Sequence, residues 1–302
     1  MWMDWIDRRA WLRCVLALLV VGACLTGLAA CARVEKRPGL LDAVLRPRDI
    51  DVTMAAYTFG EPAETAAAAA AHDPAAVAAA LLAAEADVIA FIGASRGQLD
   101  DLASRLPGFT VIGSGSVDGI AAGPHNAVAV RAARLDVVDD ATFWLSDTPQ
   151  TPGSATWGNA RPRTCTIVRV IERSRARPLT TAATQLDRAS PRARGLAVQA
   201  IARHITSLSP ENAPAVLMAD LAMPLTTPAS RLLLGRMRPA LEPLEWPVTA
   251  GADPLRDFRP LTAAATSATT TILIPPTATA KPARSIPDAP SGLLITRASI
   301  PG

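Results

Sequence analysis

Aromatic side chains are scarce in this sequence, which has one tyrosine, five phenylalanines and six tryptophans among its 302 residues. Proteins that bind single-stranded nucleic acid stack successive bases on aromatic rings, so this scarcity argues against such a groove. The formal net charge is +3, but no run of basic residues marks a track for a phosphate backbone. The composition therefore indicates no specific nucleic-acid partner.

Cysteine and histidine are also scarce. Of the four cysteines, only Cys165 lies beyond residue 31, so the body of the chain cannot contain a disulfide framework. Cys165 lies in an apolar run, and we expect a small buried thiol there. The three histidines, His72, His125 and His204, lack the spacing of a metal site. We expect His125 in a turn, His204 on the exposed side of a helix, and each of the three to be solvated or incidental.

The N-terminal segment combines a basic start with a long apolar run that carries no charge. Residues 1–13 carry three arginines, whereas residues 14–32 carry no charge. A basic start, an apolar middle and a small-residue exit are typical of a secretory signal. Residues 28–31 read Leu-Ala-Ala-Cys, which resembles a bacterial lipobox, where cleavage precedes a cysteine that receives a diacylglyceryl group. The resemblance implies an exported lipoprotein of the bacterial cell envelope, anchored to the membrane through lipidated Cys31.

Two other interpretations of this segment stay open. The uncharged run approaches the length that crosses a bilayer, so it could remain as an uncleaved single-span anchor. Cleavage near Ala30 without lipidation would instead release a soluble secreted protein. All three interpretations place the body of the chain outside the cytoplasm. We divide the chain into a signal peptide at residues 1–30, a tether at residues 31–47 and one domain at residues 48–302.

Within residues 48–302, apolar runs alternate with helical stretches, a pattern typical of sheets flanked by helices. Asp73-Pro74 and Ser190-Pro191 are pairs that open helices, because the first side chain caps the helix and proline fits its first turn. Helices are predicted at residues 73–84, 97–105, 192–206 and 229–241. Strands are predicted at residues 52–57, 87–92, 109–112, 127–131, 164–171, 179–185, 215–220, 271–274 and 292–296. The alanine tract 66–71 and residues 275–290 are predicted to be loops or frayed segments.

A set of motifs in the middle of the chain carries a family resemblance. Residues 142–149 read Thr-Phe-Trp-Leu-Ser-Asp-Thr-Pro, and Pro152-Gly153-Ser154, Trp157 and the run Pro-Arg-Thr-Cys-Thr at 162–166 follow in order. This order resembles a subgroup of the endonuclease/exonuclease/phosphatase superfamily of metal-dependent hydrolases. The likeness covers most of residues 49–300. It implies an α/β (α+β) four-layer sandwich, with two mixed β-sheets packed face to face and helices on both outer sides.

The resemblance also implies phosphoester hydrolysis with one or two divalent ions, usually Mg²⁺. Most of the residues that such hydrolysis needs are replaced in this chain. The family's ligand and catalytic positions fall, in chain order, on Ala56, Gly93, Gln185, Ala222, Thr270, Pro290 and Ser291. Only Asp220 survives as a catalytic remnant, with Gln185, Asp187 and Asn126 as candidate binding residues nearby. One carboxylate cannot retain Mg²⁺, so we expect no metal site and no cofactor.

Three hypotheses follow. The first is a pseudoenzyme that keeps scaffold residues such as Trp144, Pro149, Trp157 and Arg163 and acts as a binding or scaffold module for an unidentified protein or small-molecule ligand. The second is an active phosphodiesterase or phosphatase whose Mg²⁺ or Mn²⁺ site has been relocated to Asp147, Asp187 and Asp220. The third is a decaying sequence, which predicts poor folding.

Overall fold

The computed structural model describes residues 49–59, 73–209, 213–224, 227–234, 238–239, 270–275, 278–282 and 293–300. All of them belong to the unit Arg48–Gly302, and the other unit, Met1–Pro47, lies outside the described residues. The predicted signal peptide, tether and alanine tract therefore stay predictions. No helix among the described residues is long and apolar enough to cross a bilayer.

Two six-stranded sheets form the centre of the domain. In chain order the elements are β1 Ile50–Thr58, α1 Pro74–Ala83, β2 Val88–Ala94, α2 Arg96–Arg105, β3 Phe109–Ile112, β4 His125–Arg131, β5 Leu135–Trp144, β6 Thr164–Glu172, β7 Arg177–Gln185, α3 Pro191–Leu208, β8 Ala215–Asp220, α4 Pro228–Leu234, β9 Arg238–Pro239, β10 Thr270–Ile274, β11 Thr279–Pro282 and β12 Leu293–Ile300. The first sheet has the order β11-β12-β1-β2-β4-β3, and the second has the order β5-β6-β7-β8-β10-β9. Both sheets are mixed, because β1 with β2 and β7 with β8 are parallel while their other pairs are antiparallel.

Three apolar clusters separate four layers. The middle cluster fills the space between the two sheets with side chains such as Met54, Val128 and Met218. A second cluster packs α1 and α2 on the outer face of the first sheet, and a third packs α3 on the outer face of the second sheet. Alternate residues of a strand point to opposite faces, so each central strand supplies two of these clusters. The predicted four-layer sandwich with helices on both outer sides is confirmed.

The three long helices begin where the sequence predicts helix starts. Asp73 accepts hydrogen bonds from the backbone N–H groups of Ala75 and Ala76 at 2.9 and 3.2 Å, and Ser190 accepts one from Ala193 at 3.1 Å. At α2, Ser95 and Gln98 form a reciprocal capping box. These caps satisfy donors that have no partner inside the helix, so they determine where each helix begins.

The predicted elements differ from the structure in three places. Strand β5 is unpredicted, because exposed aspartates and a bulge between Val137 and Asp139 interrupt its apolar alternation. Strand β11 lies inside the segment 275–290 that is predicted to be a loop. The predicted helix 229–241 is wrong at Arg238–Pro239, which pairs with β10 as β9, and its residues 235–237, 240 and 241 lie outside the described residues. The other predicted strands and helices are present with end shifts of a few residues.

Candidate functional site

The surviving polar motif residues collect where strands of both sheets end together, a region that we call the shared end. Parallel β1 and β2 end there, and β4 begins there with Asn126 opposite Ile92. In the second sheet β7 and β8 end side by side, with Gln185 opposite Asp220, and β10 begins with Thr270 opposite Asp220. Parallel neighbours place the ends of their strands at one edge of a sheet, where such folds bind ligands.

Two contacts join the sheets at the shared end. The hydroxyl groups of Thr58 and Thr270 lie 2.7 Å apart. Asn126 donates from Nδ2 to the backbone carbonyl of Thr164 at 2.9 Å, and its Oδ1 accepts from the backbone N–H of Gly93 at 3.2 Å. Asn126 is therefore engaged at both ends of its amide and ties the first sheet to the second.

Asp220 lies at the centre of the shared end and is fully buried. Its Oδ2 accepts from Nη2 of Arg188 at 2.7 Å and from Nε2 of Gln185 at 3.3 Å, and its Oδ1 accepts from the backbone N–H of Ala222 at 3.2 Å. A buried carboxylate is stable only when it is paired and hydrogen-bonded, and Asp220 meets both conditions within the chain. Both of its oxygens are occupied by protein donors.

Gln185 links Asp220 to a second arginine. Its Oε1 accepts from Nη1 of Arg163 at 2.7 Å, and both residues are almost fully buried. The orientation of the Gln185 amide follows from its neighbours, because a guanidinium only donates and a carboxylate only accepts. The shared end therefore contains a continuous chain of Arg163, Gln185, Asp220 and Arg188, with a guanidinium at each end.

Asp187 shapes the loop between β7 and α3. Its Oδ1 accepts from the backbone N–H groups of Ala189 and Ser190 at 3.0 and 2.8 Å, and its Oδ2 accepts from that of Ala160 at 2.9 Å. The carboxylate also lies 3.8 Å from Nε of Arg163. These bonds hold two loops together, so the structure places Asp187 in a supporting position beside Gln185 and Asp220.

Asp147, the third carboxylate of the relocated-site hypothesis, is also engaged. It accepts from the indole N–H of Trp157 at 2.7 Å and from the hydroxyl of Thr156 at 2.8 Å. The bond from Trp157, followed by the one from Thr156, holds the pKa of the Asp147 carboxyl below its ordinary value. Its bonded partners lie within residues 147–157.

The motif positions at which the expected ligand or catalytic residue is replaced lie at strand ends or between the two sheets, where the structure describes them. Gly93 lies in a bulge at the end of β2 with a φ of 75°, a left-handed conformation that favours glycine over a side chain such as glutamate. Ala222, two residues beyond the end of β8, also has a positive φ, of 50°. Ala56 lies in the middle cluster between the sheets, and Thr58, two residues further on, contacts Thr270. Pro290 and Ser291 lie outside the described residues.

The donor set does not fit a divalent cation. Mg²⁺ is usually held by carboxylates that act together with substrate phosphate, and both carboxylates of the shared end are engaged, Asp220 by Arg188 and Asp187 by three backbone N–H groups. Among the described residues, no three His, Cys, Asp or Glu side chains come close enough to hold a metal ion. Arg188 adds a positive charge beside Asp220, which opposes the binding of a cation there.

Two expectations about histidine are wrong. His125 is the first residue of β4 and is fully buried, with no hydrogen-bond partner for either ring nitrogen among the residues that the structure describes. His204 is partly buried on α3 and stacks on Phe143 with ring centroids 3.9 Å apart. His72 lies outside the described residues. Cys165 is buried as predicted, and burial raises the pKa of its thiol.

Sequence reasoning missed Arg188 and Thr58. Arg188 directly follows Thr184-Gln185-Leu186-Asp187, so its position in the motif was the available signal, but one arginine among 30 basic residues carries no pattern of its own. Thr58 lies two residues beyond Ala56 on the same face of β1 and could have been found from strand alternation alone.

No protein-family model matches this sequence, and no curated protein matches it. Its fold, in contrast, is similar to several solved structures. One is an endonuclease/exonuclease/phosphatase from Bacteroides vulgatus, with a TM-score of 0.68 and 20% identity over 83% of this chain and 99% of that one. Another is a mannosyl-6-phosphatase from Bacteroides thetaiotaomicron, with a TM-score of 0.64 and 19% identity over 82% and 98%.

The catalytic domain of human Nocturnin with a bound sulfate anion is also similar, with a TM-score of 0.60 and 12% identity over 84% of this chain and 94% of that one. At these identities the likeness concerns the fold. Because each of these structures is matched over nearly its full length, the similarity extends to the whole sandwich.

Proposed function

The chain has the fold of the endonuclease/exonuclease/phosphatase superfamily, and we propose that it is the phosphoesterase-like domain of an exported envelope lipoprotein that does not hydrolyse phosphoesters. Its domain instead serves as a binding or scaffold module. The observation that carries this proposal is the state of Asp220, whose two oxygens accept bonds from Arg188, Gln185 and Ala222. A carboxylate engaged in this way is not free to hold a catalytic cation.

The scaffold residues of the motif support the proposal because they have structural partners. The indole of Trp144 donates to the backbone carbonyl of Ser116 at 2.6 Å, and the indole of Trp157 donates to Asp147. Arg163 donates to Gln185, at the position that the resemblance assigns to a catalytic histidine. Residues that hold the loops are retained while residues of the chemistry are replaced, which is the expected outcome when a fold outlives its reaction.

Loss of the ligand set has a large expected effect on rate. Removing one charge-stabilising donor from an active site costs on the order of a hundredfold or more. Several positions are replaced together here, and such losses do not simply add. The alternative with a relocated Mg²⁺ or Mn²⁺ site would require Asp147 and Asp187 to give up the bonds that hold their loops.

Hydrolysis assays on the full-length chain in detergent test the proposal. We expect no chelator-sensitive cleavage of p-nitrophenyl phosphate or bis(p-nitrophenyl) phosphate with Mg²⁺ or Mn²⁺. Cleavage that EDTA abolishes, and that disappears in Asp220→Ala but persists in the matched surface variant Asp136→Ala, would contradict it and favour the relocated site. Asp136 is a suitable control because it forms an exposed ion pair with Arg173.

The anchor is a separate part of the proposal and has its own test. We propose that the membrane is one partner of the chain, through lipidated Cys31, and that no metal or organic cofactor is needed. Expression in a bacterium supplied with labelled palmitate should label the wild-type chain and leave Cys31→Ala unlabelled. A labelled Cys31→Ala chain, or an unlabelled wild-type chain in the membrane fraction, would contradict lipidation and favour an uncleaved span.

A further inference from the structure

The pair of Arg188 and Asp220 combines a fully buried carboxylate with a guanidinium that reaches water. The distance between Nη2 and Oδ2 is 2.7 Å, and the side chains are 38% and 0% exposed. Desolvating a carboxylate is costly, and the neutral donors Gln185 and Ala222 supply no positive charge to offset it. Arg188 supplies a full charge at hydrogen-bond distance.

The loop that carries Arg188 is fixed on both sides. Asp187 accepts from the backbone N–H groups of Ala189 and Ser190, as described above. From the helix, Nη1 of Arg194 donates to the backbone carbonyls of Asp187 and Arg188 at 3.0 and 2.8 Å. The backbone of Arg188 is therefore held before its side chain reaches Asp220. Such preorganisation lowers the entropy lost in forming the ion pair.

We propose that the guanidinium of Arg188 is a built-in counter-charge for the buried Asp220, at an end of the sandwich whose described residues do not fit the divalent ion that the resemblance implies. The inference rests on the proposed function, because it assumes that Asp220 is structural in this chain. It adds a specific role for Arg188 as the counter-charge of Asp220. It also makes the stability of the domain independent of divalent ions.

Thermal unfolding of the full-length chain in detergent tests this role without any substrate. We expect the Tm of the wild type to be the same with Mn²⁺ and with EDTA. Arg188→Gln should lower the Tm by on the order of 5 °C, because it removes a full positive charge that lies 2.7 Å from a buried carboxylate. Arg188→Lys should keep most of the wild-type Tm, since it retains the charge. The matched change Arg173→Gln, in a pair with both side chains half exposed, should have little effect.

A charge reversal gives the sharpest readout. Arg188→Glu places a second carboxylate beside Asp220, so in EDTA this variant should have a lower Tm than Arg188→Gln. Millimolar Mn²⁺ should raise its Tm by several degrees and leave the Arg188→Gln Tm unchanged at equal ionic strength, because paired carboxylates bind the ion. If Arg188→Glu does not fold, the comparison of Arg188→Gln with Arg188→Lys decides the question.

Two results would overturn the inference. One is an Arg188→Gln chain as stable as the wild type, and the other is a wild-type Tm that rises with Mn²⁺ or falls with EDTA. Neither depends on hydrolysis, so a failure here is distinguishable from a failure of the proposed function, which would appear as chelator-sensitive cleavage by the wild type.

Discussion

The two ends of the sandwich contain the same chemical arrangement. At the end opposite the shared end, Asp87 is 2% exposed and accepts from the backbone N–H of Thr53 at 2.9 Å and from Arg134 at 3.1 Å, with Arg131 at 3.6 Å. At the shared end, Asp220 is 0% exposed and accepts from Arg188, Gln185 and a backbone N–H. Each end therefore satisfies a buried carboxylate with arginine and main-chain donors.

The two ends differ in the role that the family resemblance implies for their buried aspartate. Asp87 joins the turn before β2 to β1 and to the turn between β4 and β5. Its role is therefore structural. Burial raises the pKa of Asp87 above its ordinary value, and the bonds from Thr53 and the arginines oppose that increase only in part. The resemblance assigns a catalytic role to the position of Asp220, yet Asp220 has the same kind of partners as Asp87. The comparison supports a structural role for both.

The largest effect is expected from Asp87→Ala. This change removes the acceptor of the Thr53 N–H and the carboxylate that faces the guanidinium groups of Arg131 and Arg134, so it should lower the free energy of unfolding by about 3 kcal/mol. Urea unfolding followed by tryptophan fluorescence measures the loss, with Asp136→Ala as the surface control. If Asp87→Ala lowers the free energy of unfolding no more than Asp136→Ala does, the structural role of Asp87 is contradicted.

A smaller effect is expected from Asp220→Asn. It removes the charge that pairs with one guanidinium rather than two, and asparagine keeps an oxygen that can accept a hydrogen bond, so the loss should be about 2 kcal/mol. The sign is informative, because active-site carboxylates held ready for chemistry often destabilise the fold. An increase in stability, measured by the same urea unfolding, would mean that the shared end still has the character of an active site.

The smallest effect is expected from relieving backbone strain at each end. Ala222 at the shared end and Ala176 in the hairpin between β6 and β7 have φ values of 50° and 53°, which are unfavourable for alanine. Ala222→Gly and Ala176→Gly should each raise the free energy of unfolding by about 1 kcal/mol. Equal gains in chemical denaturation would indicate ordinary turn strain at both ends. If Ala222→Gly alone lowers the free energy of unfolding, the backbone at the shared end differs from an ordinary strained turn.

Most of the fold could be predicted because its signals are local. The strands β2, β4, β6, β7 and β8 are apolar runs that are buried on both faces, and the long helices begin at side-chain caps. Strand β5 has an exposed face with Asp136, Asp139 and Asp140 and pairs on one side, so its sequence lacks the apolar run of a central strand. Strand β11 has only four residues and contains Pro282, a residue that strands tolerate at the edge of a sheet, where β11 lies.

The candidate site was predictable as a list of residues but not as a set of contacts. Gln185, Asp187 and Asp220 were identified from the motifs, and all three meet at the shared end. Their partners come from other loops and strands, as with Arg163 on Gln185 and Ala160 on Asp187. Such pairings depend on how two sheets are packed, and sequence spacing carries no signal of them.

The sequence by itself determined the alternation of strands and helices, the helix starts and the replacement of the family's ligands, because each of these depends on residue type at a position or on its near neighbours. Only the tertiary structure decided that Arg188 reaches Asp220, that Thr58 meets Thr270 and that Asn126 ties the sheets together. These contacts join segments far apart in the chain. Their energy depends on burial and on distance, which only the folded sandwich brings about.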